Sequence, residues 1–322
     1  MKIKNTLKKA YLKLPSGVVS NLYKIYDFLL YKKNRKQVIN KDGNQSETIY
    51  VIRPREGSIE GLMSLLLNVV RQLRYSDKQG YIPVFDFKNF KTQYSNDDEN
   101  IWENYFEQYK YTLDEITDKN VILSGLSPTR TDFINFDNWT KENEIKESRM
   151  LISKYVHINE NVKQAVIKEL ENIDLENTVG LYIRGTDYTK LKPAGHPVQP
   201  TYEEVFIKTD EIIEKYKAKK AFLVTEDQNA YDASLKHYGD KLIVASFDSY
   251  IKNYDGKGFL SDSNVLNELS NNNYDRGFNY LVKIIILSKL NYLVAGNTCG
   301  SWAAMSFSKG YKDYYIFNLG KY

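Results

Sequence analysis

The sequence predicts an α/β protein built from two doubly wound domains that face a cleft. Three observations carry this. Short strand-like apolar runs alternate with helix-like segments, and they do so twice along the chain. The chain has 322 residues, enough for two ordinary domains. A hydrophobic content of 42%, with 14% aromatics, supplies real cores and argues against disorder.

The elements follow in order. KDGNQSE, residues 41–47, is polar and turn-rich and reads as a linker. TIYVIR is a strand, and a helix follows over about 59–79. That helix carries Leu62, Leu65, Leu66, Val69, Val70 and Leu73 on one face, and Gly80 ends it. YIPVFDF, residues 81–87, is the second strand. A short helix is expected near 101–108, then the strand VILSG at 121–125. This βαβαβ run signals a parallel sheet with helices on its faces.

Helical segments at about 141–155 and 159–172 carry the chain onward to a second alternating run. Its strands fall at 178–184, 220–225, 241–246, 291–295 and 313–317. Its helices fall at 201–217, 228–237, 276–289 and 300–308. Helix 276–289 is apolar nearly all round, so burial is expected. No internal repeat is visible. The expected units are a segment and linker over 1–47, a first α/β domain over 48–175 and a second over 176–322. Ligands of such sheets bind beyond the carboxyl ends of the strands.

Net charge is only +4, but its distribution is uneven. Residues 1–40 hold ten Lys and Arg against one acid, Asp27, interleaved with Leu, Ile, Tyr and Phe. None of its apolar runs approaches the roughly 20 residues that span a bilayer, and no secretory cleavage pattern follows. The segment reads as an amphipathic contact with an anionic membrane surface, or as a solvated or partner-packed arm. Cys299 is the only cysteine, so no intramolecular disulfide forms. That usage suits a reducing cytosol, with peripheral placement at the inner face of the plasma membrane.

Several chemistries lack their motifs. There is no GxxxxGK[ST], no GxGxxG after a strand, no HExxH and no GxSxG. His157, His196 and His237 are scattered without metal-ligand spacing, and no two aspartates are separated by one residue. A metal-held nucleotide and a metal cofactor are therefore not expected, and nucleic acid is a poor fit.

What remains is a set of polar strand ends in the second half. Arg184-Gly185-Thr186-Asp187 follows one strand, Thr225-Glu226-Asp227 the next, and Asn297-Thr298-Cys299-Gly300-Ser301 opens a helix after a third. Strand ends of one parallel sheet lie side by side and can converge on one ligand. Arginine offers a fixed cation with a donor fork suited to phosphate. A helix starting near Cys299 aims free N–H groups at an anion. Glu226 or Asp227 can accept hydrogen bonds from a base such as guanine. Together these describe a nucleoside diphosphate site that needs no metal. Plainer readings stand beside it: an Arg184–Asp187 ion pair, and helix caps at Thr225–Asp227 and at Asn297–Thr298.

At these residues the chain resembles the fucosyltransferases of the GT-B-like group, including core α1,6-, nodulation-factor and O-fucosyltransferase-related enzymes. The family strand runs into His-x-Arg-Arg-(Gly/Thr)-Asp, matched here by Tyr182-Ile183-Arg184-Gly185-Thr186-Asp187. His196-Pro197 matches a later His-Pro, FLVTED a Thr-Asp-Asp strand end, and ILSKLNYLVAGNTCGSWAAM the last motif. The match covers about Thr178 to Phe307, with looser similarity to bacterial polysaccharide-biosynthesis relatives before it.

The resemblance implies two Rossmann-like domains, GDP-fucose as donor, metal independence and inversion at the sugar carbon. It implies Arg184 at the β-phosphate, with Asp187 and Lys192 as its catalytic companions. Gly185, Thr186, His196, Thr225, Glu226, Asp227 and Ser246 then line the donor, with Asn297, Thr298, Cys299, Gly300 and Ser301 at the diphosphate turn. It implies a glycan or lipid-linked glycan acceptor in bacterial surface polysaccharide synthesis. Three departures stand out. Tyr182 replaces the usual histidine, Gly185 the second arginine, and Lys192 a carboxylate proposed as general base. Lys192 is then either a second cation near the diphosphate or a solvated loop lysine. Gly57, Gly61 and Ser64 are the expected acceptor-side approach, and Glu60 and Asp86 are candidate bases that also read as surface charge and helix cap. Another nucleotide sugar, or nucleotide or glycan binding without turnover, are the alternatives.

Overall fold

The computed structural model describes residues 37–38, 47–54, 60–90, 92–95, 98–124, 142–260, 263–270 and 272–322. Apart from Gln37 and Val38, the basic segment 1–40 lies outside the described residues, as does Gly57. Among the described residues no helix is long and apolar enough to cross a membrane.

The first sheet has the order β1-β4-β2-β3. Its strands are β1 (Gln37–Val38), β2 (Thr48–Ile52), β3 (Ile82–Phe85) and β4 (Asn120–Leu123). β2 runs parallel to β3 and to β4, while β1 pairs antiparallel with β4 at the edge. The expected first helix is α1 (Leu62–Gln79). It ends at Gly80, whose φ of 67° is the left-handed conformation that glycine adopts without penalty.

The short helix expected near 101–108 does not form; residues 101–105 are turns. Ile101, Trp102, Tyr105 and Phe106 do have helical spacing and are buried. An isolated two-turn helix is too short to sustain itself, and other partners take its backbone and flanks. Asn100 Nδ2 donates to the Phe85 carbonyl at 2.8 Å, and Phe106 bridges to Ile158. Trp102 instead stacks on Phe85 with ring centroids 4.1 Å apart.

α2 (Glu142–Tyr155) and α3 (Glu160–Leu170) then lead to a second sheet of order β7-β6-β5-β8-β9. Its strands are β5 (Thr178–Ile183), β6 (Lys220–Thr225), β7 (Leu242–Ile243), β8 (Tyr292–Ala295) and β9 (Asp313–Ile316), and every pairing is parallel. The strand expected over 241–246 is cut to two residues. Beyond it, Ser246 N–H donates to Glu169 Oε2 at 2.8 Å and the chain leaves the sheet edge.

The helices of this half are α4 (Thr186–Leu191), α5 (Tyr202–Tyr216), α6 (Gln228–Tyr238), α7 (Ser263–Leu266), α8 (Asn273–Lys289) and α9 (Cys299–Phe307). α4 replaces the start of what reads as a loop after Asp187. α8 starts about a turn earlier than its apolar run, because Asn272 accepts a hydrogen bond from Tyr274 N and caps it.

The strand order reverses between β5 and β8, so the connections leaving their carboxyl ends part to opposite faces and leave a crevice. One contiguous apolar core joins the two sheets, reaching from Tyr50, Leu66 and Phe85 to Leu281, Ile285 and Trp302. α2 and α3 close that seam by packing on α9 and α8. Ser148 and Ser306 hydroxyls meet at 2.8 Å there, and Arg149 Nε donates to the Met305 carbonyl at 3.0 Å.

Candidate functional site

A cavity of ≈1100 Å³ opens at the crevice between the sheets. One wall is α1, with Gly61, Ser64, Asn68 and Arg71. The other is made by the ends of β5, β6 and β8, by the first turn of α9 and by one face of α8.

Arg184 leaves the end of β5 at the strand-order reversal. Its guanidinium pairs with Asp187 Oδ1 at 2.8 Å and with Glu226 Oε1 at 3.4 Å, and lies 5.3 Å over the Tyr188 ring. Its side chain is 21% exposed, against 3% for Asp187 and 11% for Glu226. All three line the cavity, and the arginine is the most exposed of them. Burial works against its charge, yet Glu226 and Asp187 hold its pKa well above the ordinary value. Glu226 accepts from Gly185 N at 3.2 Å and from Thr186 Oγ1 at 2.8 Å. Burial nonetheless raises its pKa, with Arg184 pulling the other way.

Across the switch point, α9 begins at Cys299. Thr298 and Ser301 form a reciprocal capping box, with Ser301 N donating to Thr298 Oγ1 at 3.2 Å. Cys299 and Gly300, the first two helical residues, line the cavity. Their N–H groups belong to a turn that has no intrahelical acceptor for them. A side chain at 300 has no room, since an added Cβ falls 2.4 Å from the Tyr280 hydroxyl and 2.6 Å from that of Tyr182. Those two hydroxyls share a hydrogen bond of 2.7 Å, and burial pushes the Tyr182 phenol up to about 12.

The structure brings Arg184, Asp187, His196, Thr225, Glu226, Asn297, Thr298, Cys299 and Gly300 to one cavity. The other expected residues stand elsewhere. Asp227 is buried and turned inward: it caps α6 through Asn229 N at 3.1 Å and accepts from Tyr202 Oη at 2.5 Å. It occupies the space a side chain at 185 would need, because a Cβ there falls 2.6 Å from Asp227 Cγ. Gly185 and Thr186 thus support Glu226 from behind. Ser301 is fully buried in its capping box. Ser246 is exposed and bonded to Glu169.

Lys192 stands apart from these residues, as the solvated loop lysine of the plainer reading would. It is the exposed left-handed cap of α4, with φ 46°, outside the cavity wall. A catalytic role needs proximity, and α4, by coiling residues 186–191, turns it to solvent. The loop beyond also differs from expectation. Residues 195–198 pair with the tail at 320–322, through Gly195 N to the Tyr322 carbonyl at 2.9 Å and Val198 N to the Gly320 carbonyl at 3.0 Å. His196 packs its ring near Tyr188 and Phe259, at 5.2 and 5.7 Å.

On the other wall, Glu60 lines the cavity and accepts from Asn68 Nδ2 at 2.7 Å. Asp86 is buried in a turn, accepting from Lys88 N at 3.2 Å and from Asn89 N at 3.0 Å, away from the cavity. Among the described residues no three His, Cys, Asp or Glu side chains are grouped as a metal site.

Some lining residues escape the strand-end reading. α8 shows the cavity Arg276, Asn279, Tyr280 and Lys283, spaced i, i+3, i+4, i+7 on an otherwise apolar helix. Lys283 Nζ pairs with Asp248 Oδ1 at 2.5 Å. The periodicity of those four residues was the available signal. Lys321, by contrast, reaches the wall only through the tail pairing.

No protein-family model matches the chain, and no curated protein matches it in sequence. Solved structures share its fold. POFUT1 in complex with GDP aligns with a TM-score of 0.52 at 10% identity, covering 85% of this chain and 100% of that chain. A third crystal form of that complex gives 0.52 at 8% identity, over 84% and 99%. The fucosyltransferase NodZ from Bradyrhizobium gives 0.46 at 12% identity, over 81% and 93%. The architecture is the GT-B-like one, two α/β sheets of mainly parallel strands facing a cleft.

Proposed function

We propose that the protein is a glycosyltransferase that takes a nucleoside diphosphate sugar, with GDP-fucose as donor, and transfers the sugar with inversion to a glycan hydroxyl. The observation that carries this is Arg184 opposite the first turn of α9 at the strand-order reversal. A fixed guanidinium and free helix N–H groups face one space that a diphosphate fills. The fold shared with POFUT1, a protein solved with GDP, supports the choice of nucleotide, and the strand-end motifs support it independently.

The chemistry follows from charge. The acceptor oxygen bonds to the anomeric carbon as the bond from that carbon to the β-phosphate oxygen breaks. The electron pair stays on the departing diphosphate, where Arg184 and the α9 turn offset it. That charge is largest in the transition state, so the interaction accelerates the step rather than only tightening binding. These groups supply the positive charge a metal would otherwise bring. Glu60 is the candidate to accept the hydroxyl proton from the side formed by residues 48–175. The basic segment 1–40 would hold the enzyme at an anionic membrane near a lipid-linked acceptor of surface polysaccharide synthesis.

Isothermal titration with GDP, coupled to a donor panel of GDP- and UDP-sugars, tests this reading. Tight GDP binding with release of GDP from GDP-fucose is the expected result. Absence of both removes it. Binding without turnover of any donor supports the second reading, a nucleotide-binding protein, which the displacement of Lys192 from the cavity favours. Deletion of residues 1–40 is expected to release the protein from membrane fractions; unchanged fractionation removes the membrane role.

A further inference from the structure

Gly185 leaves Arg184 as a single arginine at the end of β5, and Lys192 points to solvent. A diphosphate carries more charge than one guanidinium offsets, above all when that guanidinium already answers two carboxylates. The cavity wall opposite supplies another cation. α1 presents Ser64, Leu67, Asn68 and Arg71 to the cavity at i, i+3, i+4, i+7, one face of the helix. α1 packs directly on α9. The cavity face of α1 therefore meets the first turn of α9, where Cys299 and Gly300 stand.

Cys299 reports that meeting. Burial pushes its thiol up, and Glu60 adds to that, while Arg71, a Ser64 hydrogen bond and Arg184 pull it back. The charges of two arginines, one from each sheet's side, thus reach the same helical turn. Arg71 NH1 also donates to Asn68 Oδ1 at 3.4 Å, and Asn68 in turn holds Glu60. That chain gives the guanidinium a fixed seat in the wall.

We propose that Arg71 is the second cation of the diphosphate site, delivered by α1 to the first turn of α9 opposite Arg184. The assignment rests on the nucleoside diphosphate reading above. As the anomeric C–O bond breaks and its electron pair passes to the β-phosphate oxygen, Arg71 and Arg184 offset the charge from opposite walls. The acceptor hydroxyl loses its proton to Glu60 or to water, so atoms and charge balance. The leaving group then bridges the two halves of the molecule, and catalysis requires both walls.

Pyrophosphate and GDP are titrated calorimetrically into the full chain, into Arg71→Ala and into Arg71→Lys, with circular dichroism to check the fold. Arg71→Ala is expected to weaken pyrophosphate by about 10- to 100-fold, the loss of one charge-assisted contact. Arg71→Lys, which keeps the charge without the fork, is expected to lose less, and it serves if the alanine variant fails to fold. Donor turnover is expected to fall in kcat more than KM rises. Unchanged pyrophosphate affinity in a folded variant overturns the assignment, as does a defect confined to acceptor KM. A wild-type chain that binds neither probe removes both this site and the proposed function. Arg71-dependent binding of pyrophosphate without affinity for GDP keeps the site and removes the guanine reading.

Discussion

Two helices wall the cavity with the same spacing, yet their charged residues are used differently. α8 shows Arg276, Asn279, Tyr280 and Lys283, and α1 shows Ser64, Leu67, Asn68 and Arg71. On α8 the cations are answered by the protein itself. Lys283 pairs with buried Asp248, and Arg276 NH1 donates to the Ser270 carbonyl at 2.9 Å. On α1, Arg71 NH1 donates to Asn68 Oδ1 at 3.4 Å, on a helix that packs directly against α9. A buried cation with a carboxylate behind it is part of the scaffold. A cation set beside the free N–H groups of a helix start adds to their positive potential, and such a place suits an anion.

The largest effect that sharpens this contrast is expected at Arg184, which belongs to both classes. Arg184→Ala should lower donor turnover by about 1000-fold, about 4 kcal/mol, as when a charge-stabilising donor is lost. Steady-state donor turnover measures it, and near-wild-type rates would place the diphosphate elsewhere.

Lys283→Met comes next. It strands Asp248 in the wall and is expected to cost about 3 kcal/mol in urea unfolding. The double variant Lys283→Met, Asp248→Asn should recover most of that. A single variant as stable as wild type would move Lys283 into the ligand class.

Gly185→Ala is expected to cost about 2 kcal/mol of stability, because its Cβ forces Asp227 off Tyr202 and off the α6 cap. Differential scanning calorimetry reads this directly.

A smaller, pH-dependent effect follows from Glu226. Its pKa in the fold is raised by burial, so the neutral form is the one the fold favours. Its contribution is fully present below about 4.5, the ordinary carboxylate value, and is lost as pH rises through the raised value. As pH rises above 4.5 the urea midpoint of wild type should fall relative to that of Glu226→Gln. Parallel profiles would show that Glu226 does not titrate there.

Lys192→Ala is expected to do least, leaving donor turnover within about twofold of wild type, since Lys192 is an exposed helix cap. A large loss would return it to the site.

Much of the cavity wall built by the second sheet was legible as pattern. Apolar runs ending in Arg184, in Glu226 and in Asn297–Gly300 are local features, and a parallel sheet places such ends together whatever the loops do. The motif residues could not tell inward from outward, however. Glu226 and Asp227 are neighbours, yet one faces the cavity and the other the α6 cap, and only the turn after β6 separates them. Lys192 kept its place in a family register, but α4 coiled the preceding residues and turned it to solvent. Residues 101–106 had helical spacing and no helix, because Asn100 and Phe85 offered better partners to a segment too short to stand alone.

The sequence by itself determined the two alternating runs, the helix faces that bury and the strand ends that carry charge, because these depend on near neighbours in the chain. Only the tertiary structure decided which cations share a space. Arg71 and Arg184 are far apart in sequence, and no periodicity links them. Both line one cavity because one apolar core joins the two sheets and sets α1 against α9.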